Sequence, residues 1–137
     1  MPSPIVNAKR AAERRLGTLS PAVPIAYEGV SFTPPATMYL RCQFTVNPPD
    51  DPVIGDRYYR ERIVFQVFVV DVANKGTATA LSKAEDIRQL FKKGLTMVES
   101  GTNIYVLDTP QVSGTVVAQD RLVVPVLINL VAEVYQD

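Results

Sequence analysis

The densest group of chemistry-bearing side chains in the sequence is Asp56-Arg57-Tyr58-Tyr59-Arg60-Glu61-Arg62. Two carboxylates and two phenols in so short a run invite an acid–base reading, in which Asp56, Glu61 and Tyr58 act on a bound small molecule as a binding module or hydrolase. The arginines beside them argue the other way. A guanidinium next to a carboxylate favours its ionised form, which is not poised to trade protons near neutral pH. Tyrosine and arginine are instead favoured anchors at protein interfaces. The plainer alternative is a solvated strand end whose ion pairs contribute little each.

Other chemistries fail on residue type. The 137 residues include no His, no Trp and one Cys. No Ser-His-Asp or Cys-His pair, histidine metal cage or intramolecular disulfide is possible within the chain, and one Cys cannot build a structural zinc site. Cys42 falls on the apolar side of an alternating run, where an inert buried thiol is the default. The glycines show no spacing that cradles phosphates, so neither catalysis nor a metal or other cofactor is expected.

Charge carries more information than chemistry. The 14 basic and 14 acidic residues cancel, which gives no global attraction to nucleic acid or anionic lipid. The sum hides a segregation. Residues 1–20 hold four basic side chains (Lys9, Arg10, Arg14, Arg15) against Glu13, net +3, whereas residues 94–137 hold Arg121 against Glu99, Asp108, Asp120, Glu133 and Asp137, net −4. Opposed surfaces favour head-to-tail contacts between copies, which close into rings when the rotation allows. The competing expectation is that folding brings the two segments together and cancels the dipole.

The elements that position these residues follow from periodicity. Ser3 suits an N-cap and Pro4 the first helical position; Ile5, Ala8, Ala12, Leu16 and Leu19 then trace one helical face up to Ser20-Pro21. Ile25 to Tyr27 reads as a short extended piece. Met38 to Val46 alternates strictly, with Met38, Leu40, Cys42, Phe44 and Val46 on one face. The prolines of Asn47-Pro48-Pro49-Asp50-Asp51-Pro52 are expected to stop that strand and to open a long loop through Asp56. Arg60 to Val72 is the longest strand candidate. Ile63, Phe65, Val67 and Val69 form a fully apolar face and Arg62, Val64, Gln66, Phe68 and Val70 a half-apolar one, which is usually covered by something.

Asn74-Lys75-Gly76 signals a turn, and Thr77 suits the cap of a helix with Ala80, Leu81, Ala84, Ile87, Leu90 and Phe91 inward and Gly94 at its C′ position. Strands follow at Leu95 to Glu99 and Ile104 to Leu107 around Ser100-Gly101-Thr102-Asn103, then at Gln111 to Ala118 with a break near Gly114. In the last strand, Leu122 to Tyr135, every even position to Val134 is apolar, and Pro125 predicts an edge or a bulge. Its apolar core, Leu122 to Ala132, is too short to span a bilayer. The order α-β-β-α-β-β-β does not alternate as βαβ units do. It predicts one α+β domain over residues 1–137, a mainly antiparallel or mixed sheet with two helices on one face.

An ordered series of short motifs then resembles the tail-terminator-like proteins of tailed bacteriophages and prophages. It comprises Leu16-Gly17-Thr18-Leu19-Ser20-Pro21, Ile25-Ala26-Tyr27-Glu28, Phe32-Thr33-Pro34-Pro35, Tyr39-Leu40-Arg41, Tyr58-Tyr59-Arg60-Glu61-Arg62, Phe65-Gln66-Val67, and Gly76-Thr77 ahead of a helix ending Leu90-Phe91. The resemblance covers residues 3–95 well and the remainder in strand pattern and length. It implies a non-enzymatic virion tail component, made in the bacterial host cytoplasm, that assembles as a hexameric ring on the end of the tail tube. Such a ring stops tube elongation and joins the tail to the head. The implied partners are further copies of the chain, the tail-tube protein and a head-completion protein, with no specific nucleic acid and no membrane. Another head–tail connector or tube component is the nearest alternative. The residues expected at subunit or partner contacts are Arg10, Arg14, Arg57, Tyr58, Tyr59, Arg60, Arg62, Asp120 and Glu133.

Overall fold

The computed structural model describes residues 3–52, 54–55, 57–73, 76–118 and 120–135. Two helices, α1 (Pro4–Leu16) and α2 (Ala78–Leu90), accompany eight strands: β1 (Ile25–Ala26), β2 (Tyr39–Asp50), β3 (Tyr58–Val72), β4 (Thr96–Glu99), β5 (Thr102–Val106), β6 (Gln111–Val112), β7 (Val116–Ala118) and β8 (Arg121–Tyr135). All eight belong to one sheet of order β1-β2-β3-β8-β5-β4, with β6 and β7 also paired to β8. Only β1–β2 is parallel. The class is α+β, and the expected element order roughly holds: β1 is added ahead of β2, and five strands follow α2 where the order had three.

The long strands β3 and β8 form the spine, paired in unbroken register from Tyr58↔Tyr135 to Val72↔Arg121. Fifteen residues at about 3.3 Å each make a ribbon roughly 50 Å long. One face of it carries Ile63, Phe65, Val67 and Val69 from β3 and the even residues Leu122 to Ala132 of β8, all in the buried core. Both helices pack there, through Ala8, Ala12 and Leu16 of α1 and Ala80, Ala84 and Ile87 of α2. Phe65 sits at the centre, its ring 5.9 Å from that of Phe91 and 6.5 Å from that of Phe44. Among the described residues no helix covers the other face.

Ser3 caps α1 as expected, its Oγ accepting the Val6 N–H at 3.4 Å. The buried stripe is rotated from the expected one. Ile5 is exposed, and Asn7 is buried instead. Asn7 Nδ2 donates to Thr102 Oγ1 at 2.9 Å, which turns that edge of the helix onto the β4–β5 hairpin. The helix also stops at Leu16, so Leu19 reaches the core from the turn that follows.

In α2, Thr77 makes no side-chain cap bond and Leu81 is exposed. Lys83 takes the inward place, its stem buried and its Nζ donating to the Pro21 carbonyl at 2.9 Å. A long aliphatic stem with a satisfied ammonium competes with leucine for such a position. Gly94 does not cap the helix, which ends at Leu90 with Phe91 as its C-cap; its positive φ of 84° serves the turn into β4, where Leu95 N–H donates to Lys92 O at 3.1 Å. Asn74 and Lys75 of the expected turn lie outside the described residues.

Two proline expectations also changed. Pro48-Pro49 does not end β2; the register shifts from Asn47↔Arg62 to Asp50↔Arg60, three residues of β2 spanning two of β3. That bulge accommodates the prolines and brings Asp50 onto the same face as Arg60. Pro125 lies in a central strand, not at an edge. Its carbonyl accepts from Ser113 N–H at 2.9 Å, so its missing N–H faces the same side, where β6 stops and β7 has not begun. The hairpin turn is shorter than expected: Ser100 and Gly101 alone, both with positive φ (48° and 84°), as a tight two-residue hairpin requires.

Candidate assembly surface

Cross-strand pairs share a face, so the register decides which expected contact residues meet. Tyr58, Arg60 and Arg62 of β3 stand opposite Tyr135, Glu133 and Val131 of β8, all on the face without helices. Tyr58 and Tyr135 stack with ring centres 4.8 Å apart, and both hydroxyls donate to Glu133 Oε2, at 3.2 and 3.0 Å. Burial, followed by the bond to Glu133, pushes the Tyr58 phenol above its usual range. Arg60 bonds Asp50 at 2.7 Å while its Nε is buried without a partner. Arg62 is exposed beside them.

The other expected residues do not join this cluster. Tyr59 stands opposite Val134, on the helix side. Arg57 is exposed just before β3, and Arg10 is exposed on α1. Asp120 is exposed at the far end of β8, about 40 Å from Glu133 at strand spacing. Arg14 forms a forked pair with Glu99 of β4. That pair joins the basic N-terminal segment to the acidic C-terminal one, so the fold cancels part of the charge segregation within one subunit.

The half-apolar face expected on β3 continues across β8, a continuity that the periodicity of a single strand does not show. Phe68 and Val70 of β3 face Pro125 and Val123 of β8, with Leu127 and Val64 beside them. Arg41 of β2 lies over Phe68, 4.7 Å from the ring centre. At the Val70 end, Arg121 donates to the Pro35 and Thr37 carbonyls and Phe32 packs 5.3 Å from Tyr39. The face therefore grades from an apolar patch to a Tyr–Arg–Glu end.

The acid–base reading has little geometry behind it. Glu61 is buried opposite Ala132, on the face away from Tyr58, and Asp56 lies outside the described residues. Burial raises the Cys42 thiol to about 11, leaving it protonated at neutral pH. Among the described residues no group of three acidic or Cys side chains is placed to hold a metal ion, and no helix is long and apolar enough to cross a membrane.

A family model described as phage tail terminator protein matches residues 7–130. The chain belongs to the phage tail terminator family. No curated protein matches it. Among seven solved chains that do, one superposes over 100% of this chain and 99% of its own with a TM-score of 0.76 and 27% sequence identity. This tail terminator family member is thus a phage tail structural protein whose α+β fold recurs end to end in a solved structure.

Proposed function

We propose that the chain assembles as a hexameric ring on the end of the tail tube, stops tube elongation and presents a surface to the head-completion protein. The observation that carries the proposal is the open face of the β3–β8 ribbon. It is half apolar, ends in a stacked and hydrogen-bonded Tyr58–Glu133–Tyr135 cluster, and among the described residues receives no helix. A contiguous apolar face on a soluble subunit favours a partner. On this reading residues 1–137 act as one assembly domain in the virion tail, without catalysis or cofactor, and the chain is made in the host cytoplasm. Arg57, Tyr58, Arg60, Arg62 and Glu133 belong to the contact zone, with Arg10 and Asp120 at separate contacts.

Light scattering and negative-stain microscopy at high protein concentration, with and without tail-tube protein, test this. Rings that cap tubes and halt their growth are the expected result. A protein that remains monomeric on tubes and never caps them would contradict it. Dilute solution alone is not decisive, since mass action governs weak assemblies. Retention of portal-side proteins in preference to tube subunits in a pull-down would move the chain to another connector position.

A further inference from the structure

The two margins of the sheet are treated differently. On the β2 margin, β1 covers Leu40 and Arg41, Glu28 accepts the Phe44 N–H at 3.1 Å, and Pro48 and Pro49 offer no N–H at all. Such devices keep a strand from pairing further. Among the described residues the β4 margin has none of them. Leu95 O accepts from Val106 N–H, so the odd residues of β4 face β5 while Thr96 and Val98 turn their N–H and C=O outward. Val98 is 63% exposed.

Between this bare margin and α1 lies a groove of about 240 Å³. Ala11, Met97 and Val98 give it an apolar floor, and Arg14, Arg15 and Glu99 line its rim. The Lys9–Glu13 and Arg14–Glu99 pairs cancel, leaving Arg10 and Arg15 as excess positive charge. The connection between β2 and β3 has the opposite character. Residues 50–57 contain three Asp against one Arg; with Asp50 paired to Arg60 the segment keeps a net charge of −1, and its Ile54 is fully exposed, at 101%.

We infer that Ile54 of one copy seats in the α1–β4 groove of the next, with Asp51 facing the Arg10 and Arg15 charge. The inference rests on the ring reading and names its subunit contact. Plug and socket lie on opposite sides of the sheet, since β2–β3 and β4 flank β8 from either side. Both sit toward the same end, because Tyr58 stands opposite Tyr135 while Ile104 stands opposite Ala132. A contact between unlike patches at a common level is heterologous, the kind that closes into a ring. A charged rim around an apolar anchor also fixes the orientation of approach.

The test uses the full chain in a Cys42→Ala background carrying both Ile54→Cys and Val98→Cys, oxidised under conditions where rings are seen. The expected result is a ladder of disulfide-linked species on a non-reducing gel, with each single variant staying monomeric and their mixture stopping at dimers. Rings without a ladder would overturn the contact and leave the ring reading standing. Ile54→Cys linking to itself would also overturn it, because loop would then meet loop about a two-fold axis. Absence of rings from the parent chain, alone and on tubes, would remove both. Separately, Arg10→Glu should weaken assembly at least tenfold and Asp51→Arg should restore it; a loss that the second change does not rescue counts against the contact.

Discussion

The two faces of the β3–β8 ribbon come from the same thirty residues and have different fates. The inner face is apolar along its middle, from Ile63 to Val69 of β3 and Leu122 to Ala132 of β8, and is sealed by two alanine-rich helix seams. The outer face mixes apolar with polar residues and engages some of its polar groups within the sheet, Arg60 on Asp50 and Tyr58 on Glu133. Full burial of the first face gives the subunit its stability. Partial burial of the second leaves apolar area that a partner can still remove from water, and the driving force scales with that area.

That contrast is broken most directly from the inside. Phe65→Ala empties the space between Phe44 and Phe91. It should cost about 3–5 kcal/mol, read by urea denaturation of the monomer. A loss below about 1 kcal/mol would mean the inner face is not the core. Cys42, also inward, gives a pH signature. Its folded pKa of about 11 lies above the unfolded value, so its contribution is intact below the unfolded pKa and is lost as pH rises through about 9 to 11. Cys42→Ala should flatten the alkaline limb of the stability curve, and an unchanged limb would locate the titration elsewhere.

Outer-face changes should invert the ratio of folding to assembly effects. Leu127→Ser should cost the monomer about 1 kcal/mol by thermal melting and weaken self-association tenfold or more by sedimentation velocity. Smallest is Arg62→Glu, which is exposed and should change monomer stability by less than about 0.5 kcal/mol while impairing assembly. Arg60→Glu should cost more than Arg62→Glu, because it sets a carboxylate between Asp50 and Glu133. Equal losses at the two positions would remove the distinction between a supported and a free arginine.

Sequence periodicity made the ribbon legible. The even positions of β8 and the alternation of β3 and β2 identify their inner faces without any partner. What stayed hidden depends on partners distant in sequence. Arg14 meets Glu99 across 85 positions, and that pair decides that the opposed end charges partly cancel. Tyr59 parts from Tyr58 and Arg60 because adjacent strand residues point to opposite faces, a division that a contiguous motif conceals. The Pro48-Pro49 bulge and the inward Lys83 show local rules yielding to tertiary pairing.

The central claim is that assembly covers the outer face. Thiol footprinting of Leu127→Cys in a Cys42→Ala background, compared between dilute subunits and tube-capping assemblies, measures that coverage residue by residue. Labelling is expected to slow at least tenfold on assembly. Equal labelling rates in the two states, with rings present by microscopy, would contradict it.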